Sequence, residues 1–442
     1  MAGDRGVGSV HKMKWLYPGM RVKRWLALLV LGVFLVATGL VVLWNTPLLS
    51  LYEEKILFLV ETWKPNPIIL GILLMMIGAV AISFGIRNGI RSVVEAIHPA
   101  DVPNLVEHVY KSRNLQKGLH IVTIGGGTGL STMLRGLKEY SSNVTAIVTV
   151  ADDGGSSGRI REDLGILPPG DIRNTLVALA DTEPLMEELF QYRFAWGEGL
   201  KGHSFGNLFI AAMTDITGDF EESIRAFSKV LAVRGKVLPS TLDSVRIGAI
   251  YEDGSTMMGE SLLPQKNRKI KQVFLEPKDT KALPEAIQAI LQADVVVVGP
   301  GSLYTSIIPN LLIPGFAEAL AETSALRIYV CNVMTQPGET DGYTASDHVR
   351  ALLGHVNRRD VLDYVIVNQA LISDAQAKKY ALEGAHPVLV DSDKLQQLGV
   401  QVHQGDLLDH LALVRHDSEK LAAEIMLLAS AHGKHKNGER AV

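Results

Sequence analysis

The sequence predicts an α/β protein: a doubly wound, mostly parallel sheet preceded by two transmembrane helices. Three observations carry this. From residue 120 onward, short β-branched runs alternate with helical stretches. Those runs mostly lack the apolar–polar alternation of a half-exposed strand, as strands covered on both faces do. Upstream, residues 25–44 and 68–86 contain no charge, and each as a helix is long enough to cross a hydrocarbon core of about 30 Å.

The 442 residues carry a net charge of -4, which leaves no footprint for a nucleic-acid partner. The single cysteine, Cys331, excludes an internal disulfide and a cysteine-based zinc site. It lies in the apolar run 328–333 and reads as a reduced core residue.

Residues 1–24 are basic, with Arg5, Lys12, Lys14, Arg21, Lys23 and Arg24 against Asp4. Residues 25–91 form a hairpin with spans at 25–44 and 68–86, followed by Arg87 and Arg91. A signal peptide would have a shorter apolar region and a small-residue cleavage site; here the first run ends Val-Leu-Trp and a second run follows. The intervening loop has Glu53, Glu54 and Glu61 against Lys55 and Lys64. The positive-inside rule therefore places this chain in the cell membrane with both termini and the main domain cytoplasmic. Trp25, Trp44 and Trp63 fall near span ends, where indole prefers the interface. Gly32, Gly39, Gly71, Gly78 and Gly85 permit close helix packing. A connector, 92–118, follows; Pro99 and Pro103 stop any continuing helix.

The main domain occupies 119–428. Strands are expected at 120–124, 145–150, 295–298, 327–333, 364–367 and 387–390. Helices are expected at 130–140, 171–181, 184–194, 207–217, 220–231, 284–292 and 345–353. Residues 241–264, with Gly254 at a turn, read as an antiparallel excursion. Residues 429–442 read as a disordered tail.

The chemistry sits where strands end. The first strand runs into Gly125-Gly126-Gly127-Thr128-Gly129. A glycine turn at a helix start concentrates N–H donors and favours a phosphate, with Thr128 and Ser131 adding hydroxyls. It is not a dinucleotide fingerprint, because Leu130 replaces the third glycine, and not a P-loop, because no Gly-Lys-Ser/Thr follows. After the second strand comes Asp152-Asp153, a pair able to hold Mg²⁺, bond a ribose or act as a base. In extended chain these neighbours point apart. Gly154, Gly155, Ser156, Ser157 and Gly158 could nest a second phosphate, with Arg159 and Arg161 supplying charge. Asp171 follows Pro168-Pro169-Gly170 as a helix N-cap and a third metal candidate, with Arg173 and Asn174 facing the same region. His203 is an acid–base candidate beside Asn207. Gly299, Gly301 and Ser302 form another donor-rich turn, and a polar loop, 335–344, follows the next strand. Each loop alone has a plain alternative: a tight turn, a solvated acidic turn, a cap, a hydrogen-bonding structural histidine. Five strand ends with one style of loop form a stronger signal.

Together the strings at 124–130, 148–159, 168–174, 202–207, 299–306 and 332–348 resemble the CofD superfamily, and more closely its gluconeogenesis-factor (YvcK-like) branch. The resemblance covers about 119–428 and leaves the membrane hairpin outside. It implies a Rossmann-like nucleotide-binding fold and a UDP-linked nucleotide sugar as ligand, with regulatory roles in carbon metabolism, envelope synthesis and cell shape. It also implies that Tyr380 and Arg415 grip the nucleotide. The transferase branch moves phospholactate from a nucleotide-linked donor to a deazaflavin with Mg²⁺. Its Asn-Thr-Gly/Ala-Asp-Asp string stands here as Thr149-Val150-Ala151-Asp152-Asp153, so transfer is the alternative reading. Asp152, Asp153 and His203 remain candidates for catalysis, and Mg²⁺ is the one cofactor in question. The expected partners are the nucleotide sugar and the bilayer, with a homo-oligomer and envelope-synthesis proteins as further candidates and no nucleic acid.

Overall fold

A computed structural model of the chain describes residues 23–44, 67–97, 113–181, 184–264, 268–409 and 414–439. The basic stretch 1–22, the interhelical loop with Trp63, residues 98–112 of the connector and the last three residues lie outside the described residues. The chain divides into two compact units, Met1–Ser112 and Arg113–Val442.

The first unit is a pair of apolar helices, Lys23–Trp44 and Pro67–Ile97. Within them Lys23–Trp44 and Ile68–Ser92 are long and apolar enough to cross a membrane. The second helix runs six residues past the expected hairpin end at 91 and stops two residues before Pro99. A proline restricts its predecessor and cannot donate to the preceding turn. The glycines form the seam between the helices. A Cβ at Gly32 would stand 2.8 Å from the Gly78 carbonyl, and one at Gly39 2.7 Å from that of Gly71. Gly85 faces the Trp25 carbonyl in the same way, at 3.0 Å. The backbones therefore meet directly, which is how helices associate where no hydrophobic force separates lipid from side chain.

The second unit is built on a seven-stranded sheet of order β10-β9-β8-β7-β1-β2-β3, every pairing parallel. The strands are β1 (Ile121–Gly125), β2 (Val144–Val148), β3 (Lys236–Pro239), β7 (Val295–Val298), β8 (Leu326–Val330), β9 (Tyr364–Asn368) and β10 (Gln401–Gly405). This is the predicted Rossmann-like sheet flanked by helices. Central strands β1 and β7 are buried at every position, which explains their unbroken β-branched runs. A separate antiparallel sheet, β5-β4-β6, comprises β4 (Arg246–Tyr251), β5 (Thr256–Met258) and β6 (Ile270–Glu276). It is the expected excursion, lengthened by a third strand.

The strand order decides where a ligand can sit. The chain winds outward from β1 through β2 to β3, then returns to lay β7 on the other side of β1. The crossovers diverge between β1 and β7, and an open α/β sheet has its crevice outside the carboxyl ends at that switch point.

Four expectations need correction. Residues 387–390 form no strand of the sheet; they make isolated bridges, Met334 with Pro387 and Thr344 with Leu389. Pro387 has no N–H to offer a ladder, and Leu389 is exposed. The edge strands β3 and β10 escaped sequence reading because Lys236, Gln401, His403 and Gln404 interrupt any apolar run. The glycine-serine loop after Asp153 is the first turn of a helix, Gly155–Leu164. The supposed disordered tail is largely helical: the last helix runs Ser418–Glu439. It is anchored where Leu421, Ala422 and Ile425 are fully buried, and Gly136 of the helix Gly127–Leu137 allows the two to touch, its Cβ position lying 2.8 Å from the Ala422 Cβ. Cys331 is buried and free, and burial pushes its thiol up to about 12.

Candidate functional site

Two glycine turns meet at the switch point. Gly126 caps the helix Gly127–Leu137 with extended backbone and no side-chain cap. Gly299, at φ +81°, turns the chain after β7. The turns approach so closely that a Cβ at Gly129 would lie 2.8 Å from the Pro300 carbonyl, and one at Gly301 3.1 Å from that of Gly126. Gly125 lies at the buried end of β1, where its carbonyl accepts from Asn310 Nδ2 at 3.3 Å. Asn332, after β8, clamps Gly301 by accepting from its N–H at 3.3 Å and donating to its carbonyl at 2.7 Å. Thr128 is exposed at the helix start. The Ser131 hydroxyl instead donates back to the Gly127 carbonyl at 3.2 Å, so it is not a free donor.

The glycine turns after β1 and β2 each already hold a carboxylate. Asp171 is not the expected N-cap: its helix, Gly170–Leu179, starts one residue earlier with Pro169 in the cap position. Its carboxylate accepts from the Gly127 N–H, and burial pushes it up to about 6 despite that bond. Asp152 lies at the start of the helix Gly155–Leu164. It accepts from the Gly154 N–H at 2.9 Å and from the Ser157 hydroxyl, with burial still raising its pKa. Where a second phosphate nest was expected, the Gly154 N–H is taken by the protein's own carboxylate. Asp153 points elsewhere, as adjacent extended residues do: its Oδ1 accepts from the Ser261 N–H at 2.9 Å.

That bond draws a further acid into the cleft. Glu260, in a short 3₁₀ turn after β5, faces Asp152, Asp153, Glu339 and Asp171. Burial first, then those like charges, raise its carboxyl to about 8. Glu339, buried in the loop after β8, is raised to about 7 by burial. Its Oε1 accepts from Gln336 Nε2 at 2.6 Å, while Oε2 has no partner. Ser302 Oγ donates to the same Gln336 at 2.7 Å, so this turn and the acid share one relay. Neither Glu260 nor Glu339 stood out in sequence. Glu339 lies in the polar loop already noted, but nothing local to Glu260 brings it to Asp152. Among the described residues, no three His, Cys, Asp or Glu side chains are grouped to hold a metal ion by themselves.

The third loop packs behind the second. His203 is buried, and its Nδ1 lies 3.1 Å from Ser156 Oγ, which also accepts from Asn207 Nδ2 at 3.2 Å. Burial, then Arg159, lower the His203 pKa, so the ring is neutral. Asn207 Oδ1 and Arg173 Nε are buried without partners. Arg173 donates to Ser204 Oγ and, through Nη2, to Asn174 Oδ1 at 2.6 Å. Arg159 turns away, donating to the Lys201 carbonyl at 3.1 Å. Arg161 binds Ser244 Oγ and the Val245 carbonyl at 3.0 and 2.6 Å. Gly155 keeps positive φ at an exposed helix start.

Tyr380 meets the stretch that carries Arg415 at the preceding residue, Val414. The Tyr380 hydroxyl accepts from the Val414 N–H at 3.0 Å, in a small apolar cluster with Val333, Leu408 and Val414. Arg415 is half exposed, 3.6 Å from Asp409. The loop after β8 reaches toward them, since the Thr335 N–H donates to the His386 carbonyl at 2.7 Å. The same loop therefore links the Ser302 turn to the Tyr380 helix, Asp374–Leu382.

Residues 121–408 match the model of the family "2-phospho-L-lactate transferase CofD". A putative gluconeogenesis factor of Nostoc sp. is 49% identical over 429 residues, covering 95% of this chain and 94% of its own. Gluconeogenesis factors of Halalkalibacterium halodurans and Bacillus subtilis are 54% and 52% identical over 315 and 304 residues, covering 70% and 69% of this chain and 96% of each. A crystal structure of a UPF0052 family member from Bacillus halodurans, 54% identical, aligns with a TM-score of 0.68 over 70% of this chain and 99% of its own. Relatives thus come in two lengths. The shorter ones are free-standing counterparts of the second unit, while the Nostoc match extends through the N-terminal helices, so the hairpin is not peculiar to this chain.

Proposed function

Because the chain belongs to the CofD family, on its gluconeogenesis-factor branch, we propose that it is a membrane-anchored, cytoplasm-facing regulatory protein that binds a UDP-linked nucleotide sugar. The observation that carries this reading is the meeting of the Gly126–Gly129 and Gly299–Ser302 turns at the β1/β7 switch point. Backbone donors and a helix N-terminus there suit a diphosphate. Tyr380 and Arg415, at the far end of the loop after β8, suit a base and a charge clamp. Asp171 occupies the Gly126–Gly129 turn that the diphosphate would use, with Asp152 on the neighbouring Gly154 turn. Asp152, Asp171 and Glu260 would offer carboxylate oxygens to a Mg²⁺ ion arriving with the phosphate, and its charge would offset theirs. Binding linked to carbon metabolism, envelope synthesis and cell shape is the regulatory output.

The test is calorimetric titration of UDP sugars into the protein, with and without Mg²⁺. Binding below millimolar, strengthened by Mg²⁺, is expected; no heat at millimolar ligand overturns the reading. For the anchor, a cytoplasmic reporter fused after Val442 should be active, whereas activity of an exported reporter alone overturns the orientation.

One observation favours a second reading, Mg²⁺-dependent group transfer from a nucleotide-activated donor. Asp171, Glu260 and Glu339 are carboxyls raised to about 6, 8 and 7, and such tuning is common where protons move. Release of a free nucleotide on adding candidate acceptors would establish it.

A further inference from the structure

Residues 192–205 form a tongue that no part of the ligand reading uses. Its two arms are hydrogen-bonded, with Gly202 N–H donating to the Phe194 carbonyl at 2.8 Å, Phe194 N–H to His203 at 2.9 Å and Phe205 N–H to Tyr192 at 2.8 Å. Arg193 and Ser204 pair as an antiparallel bridge. Gly197 and Gly199, at φ +101° and +79°, shape the tip around Trp196 and Leu200. The rings of Tyr192 and Phe194 pack edge to face at 5.2 Å. This is a built projection, yet it presents Trp196 at 75% exposure, with Leu200 and Tyr192 exposed beside it.

Its charges are equally specific. Arg193 Nη1 donates to the Gly202 carbonyl at 2.6 Å and Arg159 Nη2 to the Lys201 carbonyl at 3.1 Å. These bonds position the guanidinium groups on carbonyls and leave their charge unneutralised. Glu198 is the one acid in 192–205, against Arg193 and Lys201.

We propose that this tongue docks on an anionic lipid surface: Trp196 and Leu200 enter the headgroup layer while Arg159, Arg193 and Lys201 meet lipid phosphates. Indole is amphipathic and concentrates at membrane interfaces, and basic side chains gain from an anionic leaflet. A second copy of the chain is a poorer occupant, since tongue against tongue would bring these cations together. A bilayer is also the surface that the chain's two apolar helices suit, and tethering raises the effective concentration of any second, weaker contact. The base of the tongue is His203 and Ser204, so docking would hold the Ser156–His203–Asn207 group from outside. This inference stands apart from the identity of the ligand.

Residues 113–442, the unit whose relatives stand alone, provide the test because Trp196 is their only tryptophan; the other four lie at or before residue 63. With vesicles of phosphatidylcholine and phosphatidylglycerol, Trp196 emission should shift to the blue and the protein should sediment with lipid; phosphatidylcholine alone should give much less. Arg193→Gln and Lys201→Gln should each weaken sedimentation about fivefold at low salt. Trp196→Ala should abolish it while circular dichroism and UDP-glucose titration stay unchanged. The proposal is overturned if anionic vesicles leave the emission unmoved, if it shifts with protein concentration alone, or if UDP-glucose rather than lipid moves it.

Discussion

Gly126→Ala is expected to weaken UDP-sugar binding about a hundredfold and to cost the unliganded fold about 1–3 kcal/mol. The backbone at Gly126 is extended, with φ -171°, so alanine is conformationally acceptable and the effect arises from space alone. Its Cβ would stand 2.4 Å from Asp171 Oδ2, 2.7 Å from Thr149 Cγ2 and 3.4 Å from the Ser306 Cβ. Thr149 is buried and fixed, so the strain falls on Asp171 or on the turn. If Asp171 yields, the Gly127 N–H loses its acceptor; if the turn yields, it moves against Gly301. Overpacking of this kind costs the fold about 1–3 kcal/mol; the loss of affinity comes from moving the turn's N–H donors away from the diphosphate, and a hundredfold loss corresponds to about 2.8 kcal/mol. Calorimetry gives the affinity, and the thermal midpoint without ligand gives the control. Wild-type affinity in this variant would mean that the diphosphate lies elsewhere.

The parts of the fold legible in sequence are those decided by burial. Val295 to Val298 is a strand because no other element buries four consecutive valines on two faces, and the two charge-free helices announce themselves by length. What escaped are elements whose sequence is locally polar. The helix Gly155–Leu164 begins with glycine and serine, residues that elsewhere make loops, and Asp152 holds its start through the Gly154 N–H and the Ser157 hydroxyl. Strand β10 is half exposed and is a strand only because β9 lies beside it. The site divides along the same line. Glycine turns at strand ends are local signals and were readable as strings. Glu260 reaches the cleft through a tertiary bond from Ser261 to Asp153, separated by 108 residues, and no spacing rule contains that. Arg159 shows the converse: motif position suggested a phosphate ligand, but its side chain is spent on the tongue.

Glu260→Gln should stabilise the unliganded protein above neutral pH and blunt its response to Mg²⁺. Glu260 titrates near 8 when folded against an ordinary 4.5, because burial and the surrounding Asp152, Asp153, Glu339 and Asp171 oppose its charge. Glu339, near 7, and Asp171, near 6, are shifted the same way. Between the unfolded and folded values the native state binds more protons than the unfolded chain, so the slope of stability with pH is negative. The stability these groups contribute is full below about pH 4 and is lost as pH rises to about 8. Glu260 keeps some contact with solvent, so its share is about 1–2 kcal/mol after screening. Wild type should therefore melt lower at pH 8 than at pH 5, and Glu260→Gln should flatten that difference by raising the midpoint at pH 8. Mg²⁺ with a UDP sugar neutralises the same charges, so its stabilising effect on wild type should be greater at pH 8 and smaller in the variant. Equal midpoints for variant and wild type at pH 8 would remove Glu260 from the acidic cluster. A pH slope without any Mg²⁺ effect would keep the cluster and deny it the metal.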